Sequence, residues 1–145
     1  MNARPVRMVL LAAACAGLLL SACGGGSAAV GPSASATVSP RPSSPAKLTI
    51  LSPRDGQVIR GGTVSVRIRL VGAKIVPATT THITPTQGHL HLFLDDKIVS
   101  MNYSTSDVLH DVAPGQHTLR VEFVASDHLP FVPRVFAAVV FEVTS

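Results

Sequence analysis

No enzyme signature is present in this sequence. A G-x-S-x-G nucleophile elbow, a glycine-rich phosphate loop, an H-E-x-x-H zinc helix and a C-x-x-C pair are all missing. Neither a carboxylate pair nor a nucleophile–base spacing takes their place, so the composition argues for a protein without catalysis. No lysine–arginine cluster could follow a phosphate backbone, which removes nucleic acid as a partner. Tryptophan is absent, and with it the Cys…Trp…Cys pattern of antibody-type domains. The longest apolar run, the thirteen residues Met8 to Leu20, is too short to span a membrane as a helix, which takes roughly 20 residues. No stretch sustains a 3.6-residue apolar period, so helices are not expected.

What is there begins with a leader. Arg4 and Arg7 precede the apolar run, as in a secretory signal. Leu20-Ser21-Ala22-Cys23 resembles a bacterial lipobox. The resemblance implies cleavage before Cys23, a diacylglyceryl group on its sulfur, and a protein anchored to the extracytoplasmic face of a cell membrane. Each buried CH₂ contributes about 0.8 kcal/mol and stable anchoring takes about two chains, which a diacylglyceryl thioether supplies. Loss of residues 1–22 removes Arg4 and Arg7, leaving ten basic residues against eight acidic ones, so the basicity belongs partly to the leader. Cys15 leaves with the leader and Cys23 carries lipid. The remaining chain has no thiol to pair, and its stability must come from a hydrophobic core.

Residues 23–46 are mostly Gly, Ser, Ala and Pro, too poor in large apolar side chains to offset chain entropy. They are expected to form a flexible, lipid-anchored tether with a root-mean-square span of roughly 25 Å. Residues 47–145 have the size of one domain and alternate in polarity. Strands are expected at 47–51, 63–71, 89–95, 97–103, 108–112, 116–124 and 135–144, with turns at Arg54-Asp55-Gly56, Asp95-Asp96 and Ala113-Pro114-Gly115. About seven short strands at this spacing predict an all-β fold, a single antiparallel β-sandwich. The run LHDVAPGQHTLRVEF resembles the penultimate hairpin of immunoglobulin-like bacterial domains, which implies an immunoglobulin-like sandwich.

The chemistry rests on six histidines, His82, His89, His91, His110, His117 and His128. In Gly88-His89-Leu90-His91-Leu92-Phe93-Leu94-Asp95, the leucines form the apolar face and must point to the core. His89, His91, Phe93 and Asp95 then share the opposite face, expected to meet solvent. Residues i and i+2 lie about 6.6–7 Å apart on a strand, so the two imidazoles can converge on one ion. Two ligands fall short of a zinc or copper site, which takes three or four. His128 follows the 116–124 strand. If that strand neighbours 89–95 antiparallel, His128 meets His89. His110 and His82 are further candidates, and Met101 and Tyr103 would suit copper. His117, beside a turn on the apolar side of its strand, is expected to be a hydrogen-bonded structural residue. Neutral imidazoles bind metal, so affinity is expected to collapse below about pH 6.5.

Gly88-His89-Leu90-His91-Leu92, Pro114-Gly115-Gln116-His117-Thr118-Leu119 and Asp127-His128-Leu129-Pro130 together resemble a group of small, histidine-rich exported bacterial domains without a settled activity. Those carry a Gly-His-His-His-Leu strand, a Pro-Gly-x-His-x-Leu hairpin and a late His-x-Pro. This chain departs at Leu90, a core-facing position, and keeps the two outward histidines. Two function classes follow: a non-catalytic envelope module that binds a partner protein or plays a structural part, and a copper- or zinc-handling protein.

Overall fold

The computed structural model describes residues 40–77 and 79–145. The expected leader, the lipid site at Cys23 and the tether up to residue 39 lie outside the described residues.

Nine strands form two facing sheets among the described residues. The first sheet has β3 (Val64–Val71) between β1 (Lys47–Ser52) and β7 (Ser106–Leu109), all antiparallel. The second runs β2 (Gln57–Arg60), β9 (Pro130–Thr144), β8 (Gly115–Ala125), β5 (Gln87–Leu94) and β4 (Lys74–Ile75), and β6 (Lys97–Asn102) also pairs with β5. The alternation is what drives this arrangement. Val64, Val66 and Ile68 of β3 are buried while Ser65, Arg67 and Arg69 are exposed. They meet Leu90, Leu92, Leu119, Val121 and Phe123 of the second sheet in one core, and each such side chain contributes about 1.5–3 kcal/mol by burial. The asparagine-free β5–β6 turn is made by Asp95 and Asp96, both with positive φ (48° and 64°), a conformation that aspartate tolerates better than most residues.

The immunoglobulin-like all-β sandwich is thus as expected, with nine strands instead of about seven. The additions are β2, which pairs parallel with the end of β9, and β4, two residues parallel to the start of β5. Two bounds also move. β7 lies at 106–109, ahead of the expected 108–112, and β9 starts at Pro130, five residues early. The early start follows from a bulge. Val135 pairs with Phe123 but Pro130 pairs with Val124, so residues 131–134 swing out of register. The bulge drops Phe131 into the core, stacked on Phe123 at 5.5 Å, and turns Arg134 over the outer sheet face. Extra residues in a bulge commonly re-aim a side chain in this way.

The tether expectation needs correction at its C-terminal end. Residues 40–46 are laid against the domain. Ala46 is buried, Pro42 O accepts a hydrogen bond from Val132 N (3.1 Å), and Ser44 Oγ donates to Pro85 O (2.6 Å). The folded unit therefore extends beyond the expected boundary at Lys47.

Candidate metal centre

β5 and β8 are antiparallel neighbours with Gly88 opposite Ala125 and His89 opposite Val124. The chain leaving β8 turns back at once, with His128 N donating to Ala125 O and Ala125 N donating to Leu129 O, each 3.0 Å. His128 sits in this turn with φ 65°, a left-handed conformation uncommon for any residue but glycine. The result is convergence. His89 Nε2 lies 3.0 Å from His91 Nε2 and 2.9 Å from His128 Nδ1. All three nitrogens fall within 4.8 Å of one another.

The leucines point inward as expected: Leu90 and Leu92 are wholly buried. The imidazoles do not face solvent. His89 is 0% exposed and His91 8%, because the outer sheet face is covered at this end. The His128 ring packs on His89 at 4.3 Å between centroids and the Tyr103 ring at 5.1 Å. Burial makes the proton arrangement decisive. Thr79 Oγ1 is 3.1 Å from His128 Nε2, so a proton on Nε2 can be donated there and leaves Nδ1 as a bare lone pair. One proton on His89 Nε2 can serve only one of its two nitrogen neighbours well. If Nε2 is bare, His89 Nδ1 carries the proton, and that atom is buried without a hydrogen-bond partner. Protons alone cannot pair all three facing nitrogens at once; one cation among them would take up all three lone pairs, with His89 Nδ1–H still without a partner among the described residues.

His89 and His91 are held neutral. Burial, followed by the nearby His128 and His91, lowers His89 from an ordinary 6.5 to about 4. His91 is also lowered, by burial and then by His128, against an opposing pull from Glu122. The lone pairs of His89 and His91 therefore remain available below the pH 6.5 expected from free histidine. For the metal-free fold the sign is as follows. The unfolded chain takes up protons near pH 6.5 while the folded chain resists until near pH 4, so stability falls as pH drops through that window. For His89 alone the loss is up to roughly 3 kcal/mol. Urea denaturation of the metal-free protein between pH 7 and 4 should show this decline, and His89→Gln should flatten it. Equal slopes in the two proteins would count against a buried neutral His89.

The other candidates stand elsewhere. His110 is exposed at the end of β7 and lines an open cleft with Asp95, Lys97 and His117, beyond the far end of β5; it does not join the three. Its expected place as a ligand came from an edge strand whose direction the sequence left open. His82 is exposed in the 76–86 loop, its amide bonded to Thr80 Oγ1 at 3.1 Å. Met101 pairs with His91 in register and is 58% exposed. His117 is structural: Nδ1 meets Asp95 Oδ2 at 2.7 Å and Nε2 meets Ala113 O at 2.8 Å. That carboxylate bond raises its pKa.

Two residues at this end of the sheet were not foreseen. Glu122, opposite His91 on β8, is 1% exposed and is held by Arg134 (Nε 2.6 Å, Nη2 2.9 Å) and Arg120 (Nη1 3.0 Å). Arg120 also lies 3.8 Å above the Phe93 ring. Charge alternation in QHTLRVEFV marks Glu122 as outward, but only the β9 bulge brings Arg134 to it. The second is Arg41, which binds Asp127 beside His128.

A family described as a family of unknown function (DUF6130) matches residues 3–142, nearly the whole chain. The chain belongs to DUF6130. No curated protein matches its sequence. Among solved structures, the DUF6130 chain is similar to the fibronectin(III)-like modules of Clostridium thermocellum CbhA, at 17% identity and a TM-score of 0.50, over 66% of this chain and 93% of that one. It is also similar to the PKD domain of human KIAA0319, at 13% identity and a TM-score of 0.42, over 76% and 90% of the two chains. An endo-β-1,4-mannanase of Thermotoga petrophila matches at 15% identity and a TM-score of 0.46, over 69% of this chain and 20% of the enzyme. The fibronectin likeness supports the fold of this DUF6130 domain and nothing about its chemistry.

Proposed function

We propose that this DUF6130 protein is a non-catalytic, lipid-anchored module of the cell envelope that binds one copper or zinc ion through His89, His91 and His128. The observation that carries the metal reading is the meeting of three imidazole nitrogens, two of them on the buried, neutral rings of His89 and His91, whose facing lone pairs protons cannot all pair at once. Imidazole suits zinc, copper, iron and nickel, and a three-histidine set leaves one position for water or another donor. Thr79 plays the outer part for His128 that a carbonyl or hydroxyl commonly plays for a metal-bound histidine, fixing which nitrogen faces the ion.

Metal analysis of the full chain, purified without a histidine tag and dialysed against zinc or copper, should give one bound ion per chain. The His89→Ala/His91→Ala double variant should give none while keeping its β-sheet circular dichroism. Stoichiometric binding in the folded double variant would eliminate this site.

The anchor is supported by Arg4, Arg7, the apolar run and the lipobox-like Leu20-Ser21-Ala22-Cys23. Cys23→Ser should move the protein from the membrane fraction to the soluble exported fraction; unchanged membrane retention would contradict a lipid on Cys23. A second reading, a partner-binding module without an ion, is favoured by Leu129, Val132 and Phe136, each more than half exposed near the start of β9. It is the reading left if no ion binds.

A further inference from the structure

Among the described residues, every hydrogen bond of the Arg41 side chain lands on the turn that carries His128. Nε donates to Pro130 O (3.0 Å), and Nη2 donates to Leu129 O (2.8 Å) and Asp127 Oδ1 (3.0 Å). Nη1 binds the other oxygen of Asp127. The next residue, Pro42, accepts from Val132 N at 3.1 Å. Thr79 and Thr80 hold the same turn. Thr80 N donates to Ser126 O (3.1 Å), and Thr79 Oγ1 meets His128 Nε2. Ser44 Oγ donates to Pro85 O, so the two gripping segments are also joined to each other.

The turn needs this grip. Its own backbone provides two hydrogen bonds, and it must keep a histidine in a left-handed conformation that the residue does not favour by itself. His89 and His91 are fixed by a strand buried on both faces. His128 is fixed by what holds its turn. We propose that Arg41 is a positioning residue for the third ligand: its guanidinium fork locks Asp127 to Pro130, aims His128 Nδ1 at His89 Nε2, and so couples the seating of residues 40–46 to metal occupancy. The inference rests on the three-histidine site as the metal site. Coupling of this kind is reciprocal: a seated segment raises affinity for the ion, and a bound ion holds the segment down. A planar fork donating to carboxylate and carbonyls together is chemistry that lysine does not reproduce.

The test uses the full chain with zinc(II) as the probe, in competition with a chromogenic chelator. The His89→Ala/His91→Ala variant sets the background from other ligands and His128→Asn sets the two-ligand affinity. Arg41→Ala should bind zinc about 10–100-fold more weakly than the wild type, the range seen when an outer partner of a metal ligand is lost. Arg41→Lys should recover only part of that loss. The combination Arg41→Ala/His128→Asn should bind no more weakly than His128→Asn alone, because Arg41 acts only through His128. Should Arg41→Ala fail to fold, Asp127→Asn tests the same contact and should lose affinity in the same direction. Wild-type affinity in Arg41→Ala, or losses that add in the double variant, would overturn the positioning role alone. No zinc binding by the wild type would overturn the metal site and this inference with it.

Discussion

Replacing His128 with asparagine should remove most of the metal affinity and leave the domain folded. The position has φ 65°, which asparagine tolerates at least as well as histidine, so the backbone is not penalised. What disappears is the third ring nitrogen, 2.9 Å from His89 Nε2. Structural zinc sites contribute about 10–16 kcal/mol over four ligands, or roughly 3 kcal/mol each; that is about a hundredfold in dissociation constant. Competition titration with zinc measures it directly. The melting temperature of the metal-free variant should stay near that of the wild type, because the turn is only partly buried and keeps its Arg41 clamp. An affinity equal to the wild type's would remove His128 from the ligand set.

Gly88→Ala should have the largest effect on stability at this end of the molecule. A Cβ at residue 88 would sit 1.9 Å from Val124 O and 3.0 Å from Phe123 Cζ. The first is a backbone atom of the paired strand and cannot move aside by itself. β5 and β8 must separate where Gly88 faces Ala125 and His89 faces Val124. Overpacking of a tight contact typically costs 1–3 kcal/mol, and a clash this deep belongs at the upper end, about 3 kcal/mol. Displacing β5 from β8 also shifts His89 against the turn that follows β8, so zinc affinity should fall along with the urea midpoint. Wild-type stability in Gly88→Ala would mean that the two strands do not approach this closely.

The sequence made the inner face of the sandwich readable and the outer face much less so. Leu90, Leu92, Leu119, Val121 and Phe123 were legible because burial against a facing sheet imposes a two-residue period. The meeting of His89 with His128 was legible for a related reason: in neighbouring antiparallel strands, the end of one lies beside the start of the next. Solvent exposure of His89 and His91 was the wrong expectation because it took the outer face as bare. Their cover comes from the Tyr103 ring and from the His128 turn, whose packing no polarity pattern encodes. The two missed strands are short and lie at sheet edges, where a strand can form with little burial to mark it; in β2, Val58 is 58% exposed.

Arg41 was hidden for another reason. It is one arginine in a Pro/Ser stretch that reads as tether, and its partners lie 86 to 89 residues further along. Two of its four bonds go to backbone carbonyls, which no side-chain pattern announces. The same holds for Arg134, whose bond to Glu122 depends on a bulge that a strand pattern does not encode. The features that complete the candidate site are thus the ones set by tertiary contact.

The most direct test of the account is X-ray absorption spectroscopy of the zinc-loaded full chain. The three-histidine site predicts one ion with three imidazole nitrogens at about 2.0–2.1 Å and a fourth light-atom donor. A shell with fewer than three imidazoles, or one built on sulfur, would contradict it.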